Sequence, residues 1–492
     1  MWQCCRFCKY LYNHIRLISQ IYSYMNYLEH NQDHNVLYLD QICETIQSCG
    51  SVAIKFCQWI TPKLELMHTE ENDLVDKERV KPLWLLKLET FYEHCNEHSI
   101  EYTIGEYNRV FHEDFHNHYE ILKTIGSGSI GQVYLIQDKP LKEYTERVKY
   151  VMKIIHPNVI YEINFFRTFY KLITWIPCLN SRIKQVLPFD VNAFIDQFEQ
   201  QSNFIMESSN LLTFYDAYKE NHLIIIPRLI KVSETIMIMS YEEGKSFEDC
   251  KLNKYQKYKL VLLFNLFIRN NQHILNYNHG DLHKGNWKIR ISDDDDNDHK
   301  LVIYDYGFCW KVSHEKLQFI ELTYDAFESA DKDVNVIDNK NITELLLAFV
   351  IYDREDRELF KQRARTFVDE RIEKLEMWVC SPIKLFQFVV VLCLQENICI
   401  DPIMIQSVII AIQCQLMSQE YGLKASSTQD ICSYEIYRSR YVDMLTFCKT
   451  KNIFQDYRVS IENKLNEKQT DVKGLFDFID MPDSIKALAL AK

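Results

Sequence analysis

One octapeptide decides the fold of this 492-residue chain: His279-Gly280-Asp281-Leu282-His283-Lys284-Gly285-Asn286. It places the carboxylate of Asp281 five residues before the amide of Asn286. A second aspartate, Asp305, follows 19 residues after Asn286, within Tyr304-Asp305-Tyr306-Gly307. The chain has only 11 glycines, where average usage of about 7% would give roughly 34. Glycines that cluster in so glycine-poor a sequence indicate positions where the backbone needs them.

A second glycine cluster lies upstream, where the sequence fits the pattern GxGxxGxV between two predicted strands. Backbone N–H groups approach a polyphosphate closely only where no Cβ intervenes. A strand, and not a helix, follows this loop, which disfavours a dinucleotide-binding fold. The pattern predicts a phosphate-binding loop made of nine residues: Ile125, Gly126, Ser127, Gly128, Ser129, Ile130, Gly131, Gln132 and Val133.

Lys153 lies inside the apolar strand Val151-Met152-Lys153-Ile154, 27 residues after Gly126. An ammonium group on the buried side of a strand is costly unless it meets an anion. We therefore expect Lys153 to bind a phosphate, a carboxylate or both. The alternative is a lysine on an edge strand that points to water.

The glycine loop, the strand lysine and the two aspartate motifs resemble, in order and spacing, the nucleotide site of protein-kinase-like enzymes. This resemblance implies that Lys153 holds the phosphates of ATP and that Asp281 orients or deprotonates the attacking hydroxyl group or water. It also implies that Asn286 and Asp305 bind Mg²⁺, for which amide and carboxylate oxygens are suitable ligands. The predicted cofactors are ATP and Mg²⁺.

Further segments resemble one family, the UbiB/ADCK (aarF-domain) atypical kinases. The matching segments are 50–58 (the KxGQ helix), 129–133 (SIGQV), 153–157 (the strand and turn ending in His-Pro), 207–211 (EAxNL) and 279–286 (HxDLHPGN). The resemblance covers about half of the chain, from residue 50 to residue 307. It implies that Glu207 pairs with Lys153, and that Lys55 and Gln58 are regulatory residues on a helix that restricts large substrates.

Some positions depart from the family pattern. Cys57 replaces the glycine of KxGQ, and Lys284 replaces the proline of the catalytic loop. Gln201 and Asn203 stand where the family has an acidic motif, so an ion pair from Lys55 to this segment is in doubt. The phosphate loop has glycines where many members are rich in alanine, and we expect it to be closer to the loop of ordinary kinases.

The alternation and periodicity of apolar residues predict an α+β protein. The resemblance sharpens this to a two-lobed protein-kinase-like fold with a small antiparallel-sheet N-lobe, a large helical C-lobe and a helical N-terminal extension. Apolar residues from Asp40 to Ile60 predict one helix that ends at Thr61-Pro62. The predicted strands are 119–125, 131–137, 147–155, 223–226 and 235–240, with a hairpin of 287–291 and 300–304 around the acidic loop 293–298.

Four domains are predicted along the chain. They are an N-terminal tail (1–35), a helical extension with the KxGQ-like motif (36–118), a kinase-like N-lobe with a helical insert (119–243) and a helical C-lobe with the catalytic and metal loops (244–492). Residues 310–492 receive no chemical assignment, and the oligomeric state stays open.

Charge and cysteine content narrow the partners and the compartment. A net charge of −13 argues against nucleic acid as the main partner. Sixteen scattered cysteines are too few for a disulfide scaffold and favour an intracellular protein. Residues 1–28 contain Arg6, Lys9 and Arg16 but no acid, so peripheral membrane association and an organellar location are open alternatives. The apolar runs 385–394 and 408–412 are too short to span a bilayer.

These observations predict an Mg²⁺-dependent, ATP-binding atypical kinase or ATPase. Its predicted substrate is a small or lipid-like molecule, and the family resemblance adds quinone or lipid metabolism. One alternative is a scaffold gated by nucleotide binding, which Lys284 and the two amides would favour. The other is a protein serine/threonine kinase, which is disfavoured because no Ala-Pro-Glu motif follows Asp305 to dock a protein substrate.

Overall fold

The computed structural model describes residues 2–30, 35–68, 82–89, 97–139, 147–186, 188–291, 299–314, 316–317, 357–370, 382–396, 398–407, 409–410 and 434–467. The chain divides into two compact units. Unit 1 contains residues 1–183, 191–217 and 226–242. Unit 2 contains residues 184–190, 218–225 and 243–492.

Unit 1 begins with four helices: α1 (Trp2–His30), α2 (Val36–Cys49), α3 (Ser51–His68) and α4 (Leu83–Glu89). The predicted single helix from Asp40 to Thr61-Pro62 is wrong, because Gly50 separates α2 from α3 with a φ of +96°. The apolar face continues across this break because both helices pack into one cluster, formed by Tyr24, Leu39, Ile42, Ile46, Cys49, Ala53 and Ile54.

The helix α3 continues through Pro62 to His68, so the proline does not end it. A proline in a helix removes one backbone donor. The missing donor at Pro62 would serve the Gln58 carbonyl. The carbonyls on either side of Gln58 accept side-chain donors: the Thr61 hydroxyl donates to the Cys57 carbonyl at 2.6 Å. The Lys63 ammonium donates to the Trp59 carbonyl at 2.7 Å.

A five-stranded antiparallel sheet forms the centre of unit 1, in the order β1-β2-β3-β6-β5. The helices α5 (Ile100–Phe111) and α6 (Phe115–His118) precede it. Its strands are β1 (Tyr119–Ser127), β2 (Gly131–Asp138), β3 (Lys149–Ile155), β5 (Leu229–Val232) and β6 (Ile236–Ser240). Four of them follow the predicted segments, whereas β5 was not predicted. The core against α5 and α6 is made by Tyr107, Phe115, Tyr134, Ile136, Met152, Ile154, Ile236 and Ile238, each at most 1% exposed.

Between β3 and the second half of the sheet the chain forms four helices: α7 (Val159–Thr174), α8 (Pro177–Val186), α9 (Val191–Gln201) and α10 (Phe204–Tyr218). Helix α7 packs against both α1 and α3. Helix α8 begins at Pro177, three residues after the end of α7.

Unit 2 contains the short strand β4 (Ile224–Ile225), which pairs in parallel with β9 (Lys300–Ile303), and β9 pairs antiparallel with β8 (Trp287–Arg290). The predicted hairpin is therefore confirmed, and its acidic loop 293–298 lies outside the described residues. The strands β7 (Asn278–His279) and β10 (Cys309–Trp310) form a separate pair.

The helices described in unit 2 are α11 (Lys254–Asn270), which ends in a turn of π-helix (Asn271–Leu275), α12 (Arg357–Asp369), α13 (Pro382–Glu396), α14 (Tyr434–Lys451) and α15 (Gln455–Glu467). None of the helices in the described ranges combines the length and the apolar content needed to cross a bilayer. The predicted α+β class, with a small antiparallel sheet and many helices, is confirmed.

Candidate nucleotide and catalytic site

The phosphate loop is the turn between β1 and β2. The Gly128 N–H donates to the Gly131 carbonyl at 2.9 Å, and Gly126 lies opposite Val133 across the hairpin. A Cβ on Gly126 would meet no atom within 4 Å, and a Cβ on Gly128 only the Gly131 carbonyl oxygen at 3.7 Å. These two glycines leave a cradle of bare backbone that a side chain would fill.

Gly131 is a glycine for a different reason. A Cβ at this position would lie 2.3 Å from the Ile154 carbonyl oxygen on the neighbouring strand β3. That oxygen belongs to the backbone of the sheet and cannot move aside. Gly131 therefore allows β2 and β3 to approach each other, which is a role in the fold as well as in the loop.

Lys153 and Glu207 form the buried ion pair that the resemblance implied. The Lys153 ammonium lies 2.5 Å from a Glu207 carboxylate oxygen, and their side chains are 14% and 2% exposed. Lys153 is directly opposite Val133 in the sheet, so both side chains lie on the face away from the core cluster. The ring of Phe204 lies 5.6 Å from the ammonium. The pair holds the cation at a fixed position beside the strand that follows the phosphate loop.

Asn203 supports Glu207 by capping the helix that carries it. Its side-chain oxygen accepts the Ile205 N–H at 2.9 Å, and its carbonyl accepts the Glu207 N–H at 3.3 Å. Asparagine is as good a helix cap as aspartate. The amides of Gln201 and Asn203 carry no charge, so this segment cannot supply a carboxylate to Lys55.

Helix α3 contacts the phosphate loop directly. The buried Ser129 hydroxyl donates to the Gln58 side-chain oxygen at 3.3 Å. Lys55 lies three residues earlier on the same helix and is half-buried. Cys57, which replaces the family glycine, packs against the apolar cluster of α1 and α2, and burial raises the pKa of its thiol to about 12. The thiol therefore serves as an apolar packing group.

The start of α3 is held by a carboxylate that sequence reasoning missed. Glu162 on α7 is 7% exposed and accepts the Ser51 N–H at 2.6 Å and the Tyr10 hydroxyl at 2.6 Å. Burial raises the pKa of the Glu162 carboxyl above its usual value, while its hydrogen bonds oppose that shift. No local signal could reveal these contacts, because 111 and 152 residues separate the partners.

In unit 2, His279 organises the catalytic loop from a fully buried position. Its Nε2 lies 3.1 Å from the Tyr304 carbonyl, and its Nδ1 accepts the Asp281 N–H at 3.3 Å. A carbonyl can only accept, so Nε2 carries the ring proton. Burial lowers the pKa of His279. A neutral imidazole thus fixes the backbone of Asp281.

Asn286 closes the same loop. Its side-chain N–H donates to the Asp281 carbonyl at 2.8 Å, so the oxygen of the amide is directed away from the loop. The Tyr304 N–H donates to the Asn286 carbonyl at 2.8 Å, which ties Asn286 to the residue before Asp305. The two predicted metal ligands therefore come from hydrogen-bonded neighbouring segments of unit 2.

Asp305 has a left-handed backbone, with a φ of +56°. Its carboxylate accepts the Gly307 N–H at 3.1 Å, which stabilises this turn locally. The next residue, Tyr306, is buried, and its ring meets that of His279 edge to face at 5.2 Å. Strained conformations of this kind often occur where a side chain must point at a ligand.

The other predicted positions in this loop are explained by their neighbours. A Cβ on Gly280 would lie 2.4 Å from the ring of Phe308, so only glycine fits. The Lys284 ammonium lies 2.9 Å from a Glu248 carboxylate, and the two side chains are 58% and 50% exposed. The replacement of the family proline by lysine is accommodated at the surface.

A model of the ABC1 atypical kinase-like domain matches residues 92–338, half of the chain. The chain belongs to this family of kinase-like proteins, and the resemblance to the UbiB/ADCK kinases is confirmed. Membership implies ATP binding.

A curated relative is similar over more than half of the chain. The probable serine/threonine-protein kinase abkC of Dictyostelium discoideum is 26% identical over 314 residues, which cover 60% of this chain and 42% of abkC. The chain thus spans less than half the length of that relative.

Two solved structures resemble the chain. The complex of Rv3197 with erythromycin from Mycobacterium tuberculosis has a TM-score of 0.39 at 16% identity, covering 65% of this chain and 82% of that one. The kinase PK-1 of Cydia pomonella granulovirus has a TM-score of 0.23 at 16% identity, covering 54% and 92%. Both scores are below 0.5.

The residues present fit ATP and Mg²⁺. The bare backbone at Gly126 and Gly128 suits a phosphate group, and the oxygens of Asn286 and Asp305 suit a hard cation. Within the described ranges no group of three or more His, Cys, Asp or Glu side chains forms a metal site. A magnesium ion held by one amide and one carboxylate together with phosphate oxygens does not need such a group.

Proposed function

We propose that this protein binds ATP together with Mg²⁺ and hydrolyses it or transfers its terminal phosphoryl group to a small or lipid-like molecule. Family membership supports a kinase-like activity. The observation that carries the proposal is the hydrogen-bonded arrangement of Asp281, Asn286 and the turn at Asp305. It positions one carboxylate for proton transfer and two oxygen groups for a cation.

The residues of the two units would have separate roles. In unit 1 the backbone of Gly126 and Gly128 and the ammonium of Lys153 would hold phosphate groups, and Glu207 keeps that ammonium in place. In unit 2 Asn286 and Asp305 would hold Mg²⁺, which neutralises charge on the phosphates when bound. Asp281 would accept the proton of the attacking hydroxyl group or water.

The enzyme is favoured over the nucleotide-gated scaffold by the position of Lys284. If the loss of the loop proline had disabled the site, the lysine would disturb the loop. Its side chain instead pairs with Glu248 at the surface, and the hydrogen bonds that join Asp281 to Asn286 are intact.

A lipid-like acceptor is supported by an exposed apolar surface in unit 1. On α1, Ile15, Ile18, Tyr22 and Met25 recur at helical spacing and are 50–65% exposed. At the corner of α7 and α8, Leu172, Trp175, Ile176 and Leu179 are exposed, Trp175 by 84%. We name these eight residues the apolar rim.

The apolar rim lies at one end of a helix pair. Tyr10 contacts Tyr161 and His14 contacts Phe169, so α1 and α7 run in the same direction. Residues 2–28 and 163–186 contain seven Lys or Arg residues and no acid, in a chain of net charge −13; one of the seven, Arg167, pairs with Asp196 and Glu199 on α9. An apolar stripe with a basic surround is typical of a helix that binds an anionic lipid surface, and exposed tryptophan is typical of the interface. We therefore propose peripheral association with an anionic membrane.

The test of the nucleotide proposal is thermal unfolding with and without MgATP. Binding to the folded state stabilises it by mass action, by about 2.7 kcal/mol when the ligand concentration is 100 times the Kd. The melting temperature rises accordingly. Asp305→Asn should lose the part of this shift that depends on Mg²⁺ while keeping a shift with ATP alone.

Asp216→Asn is the matched control, because Asp216 is an exposed carboxylate on α10 and should behave like the wild type. A wild type whose melting curve is the same with and without millimolar MgATP would contradict ATP binding. An Asp305→Asn variant with the full Mg²⁺-dependent shift would contradict the assigned metal ligand.

A further inference from the structure

One buried histidine, His156, holds two carbonyl groups of the phosphate loop. Its backbone N–H donates to the Ile130 carbonyl at 2.9 Å, and its ring Nε2 lies 2.9 Å from the Gly128 carbonyl oxygen. The Ser127 hydroxyl lies 3.4 Å from the same ring nitrogen. His156 is 9% exposed. Two carbonyls of the turn 128–131 are thus fastened to one residue, which directly follows the neighbouring strand β3.

These two bonds determine where the loop N–H groups point. A trans peptide is planar, and its C=O and N–H point in opposite directions; the described peptide bonds are all trans. Because the Gly128 and Ile130 carbonyls are directed at His156, the N–H groups of Ser129 and Gly131 are directed away from it. Both N–H groups therefore leave the loop on the side away from His156, where a phosphate oxygen could accept them.

A second histidine, His98, determines which ring nitrogen of His156 carries the proton. The two Nδ1 atoms are 2.7 Å apart, and the Nε2 of His98 lies 2.9 Å from the Thr103 hydroxyl. The Thr103 hydroxyl in turn lies 3.0 Å from the Tyr134 hydroxyl. The four residues His156, His98, Thr103 and Tyr134 form a continuous chain of hydrogen bonds, which we call the histidine relay.

With both rings neutral, the chemistry of the groups gives one consistent set of protons along the relay. The Gly128 carbonyl can only accept, so Nε2 of His156 carries a proton, and its Nδ1 accepts when the ring is neutral. His98 must then donate from Nδ1 and accept at Nε2 from the Thr103 hydroxyl. The Thr103 oxygen accepts the proton of Tyr134.

The surroundings keep both rings neutral. Burial lowers the pKa of His98 to about 4, and the neighbouring His156 lowers it further. Burial also lowers the pKa of His156. The titratable side chains nearby are Tyr102, whose ring lies 4.9 Å from that of His98, Tyr134, and Glu97, which lies beyond Gln132.

We propose that the histidine relay is a positioning device for the nucleotide site: His98 fixes the tautomer of His156, and His156 turns the Ser129 and Gly131 N–H groups toward the phosphates of ATP. The relay acts through the loop, so neither histidine is a catalytic residue. The proposal rests on the proposed nucleotide binding. It means that residues outside the loop strengthen binding of the phosphates but not binding of the nucleoside.

The first test reads the protons without any nucleotide. In protein labelled with ¹⁵N-histidine, NMR at neutral pH should find both rings neutral, with the proton of His156 on Nε2 and that of His98 on Nδ1. A coupling between the two Nδ1 atoms should be visible across the hydrogen bond. A protonated ring, or a proton on Nδ1 of His156, would overturn the relay.

The second test compares ATP with adenosine by calorimetry. His156→Leu removes the donor to the Gly128 carbonyl and should weaken ATP binding by about tenfold, as expected for one buried hydrogen bond, with adenosine affinity unchanged. His156→Gln keeps an N–H at the Nε2 position and should restore most of the ATP affinity. His118→Leu, at a half-exposed histidine of the same unit, is the control.

A purely structural role would lower the affinity for ATP and adenosine equally and would not distinguish glutamine from leucine, and either result would overturn the proposal. If the wild type itself binds no ATP, the proposed function fails. The positioning role then fails with it, whatever the NMR measurements find for the protons.

Discussion

Three glycines of the phosphate loop differ in what a methyl group would meet. At Gly131 the added carbon would collide with the backbone of β3, whereas at Gly126 and Gly128 it would enter open space beside the loop. The GxGxxG pattern thus meets two needs: Gly131 allows the strands to pack closely, and Gly126 and Gly128 leave room for a ligand. Substitutions can separate the two.

We expect Gly131→Ala to lower the free energy of unfolding by about 1 to 3 kcal/mol, because the sheet must yield to the new Cβ. Gly128→Ala should leave that free energy unchanged or raise it by about 0.5 kcal/mol and should weaken MgATP binding. Urea denaturation and calorimetry measure the two effects. Equal destabilisation by both substitutions would contradict this assignment.

The residues of the site differ in how far sequence alone could predict them. Asp281, Asn286, Asp305 and Lys153 were predicted because their chemistry requires particular residue types at fixed spacings. Glu207 was assigned through the family resemblance, and the structure places it against Lys153. His98 was not predicted, because its partner His156 is 58 residues away and nothing nearby marks it.

At the scale of elements, alternation and periodicity of apolar residues predict the helices and strands that are long enough to show a repeating pattern. The strands β1, β2, β3, β6, β8 and β9 follow the predicted segments within a few residues. The strands β7 and β10 have two residues each, which is too short for any pattern. The break at Gly50 was missed because the apolar face continues across it onto a shared cluster.

The apolar rim leads to a prediction about elements α1, α7 and α8. The protein should sediment with vesicles of phosphatidylcholine and phosphatidylglycerol and should bind vesicles of pure phosphatidylcholine more weakly, because the surrounding side chains are basic. Trp175→Ser and Ile18→Ser should each reduce this binding several-fold.

Val459→Ser is the control, because Val459 on α15 is exposed to a similar extent, 45%, in unit 2. Its vesicle binding should equal that of the wild type. If all three variants bind alike, the apolar rim is not the lipid-binding surface. If the wild type binds neither kind of vesicle, peripheral association itself is wrong.

For the whole molecule, the decisive question is whether bound ATP is turned over. Asp281→Asn should keep the MgATP-dependent rise in melting temperature and lose turnover by about 10²- to 10⁴-fold, the usual contribution of a general base. Phosphate release and the products formed with lipid or small phenolic acceptors should be measured for the wild type and for this variant.

Free phosphate from the wild type alone indicates hydrolysis, and a phosphorylated acceptor indicates transfer. A wild type that binds MgATP but forms neither product would favour the nucleotide-gated scaffold. Equal turnover by wild type and Asp281→Asn would contradict the role given to Asp281. The family resemblance could predict the class of chemistry, but the acceptor depends on surfaces that no motif encodes.

The carboxylate of Glu162 has a consequence for how the chain folds during synthesis. It supplies the acceptor for the first N–H of α3, and it lies 111 residues after Ser51. At about 5 to 20 residues per second, those residues take about 6 to 22 s to synthesise. For that time the helix that carries Gln58 has an unfinished start and α1 lacks the hydrogen bond from Tyr10 to Glu162. The N-terminal helices are therefore made first but completed late, because on the ribosome the start of α3 gains its acceptor only after β3 and the phosphate loop have been synthesised.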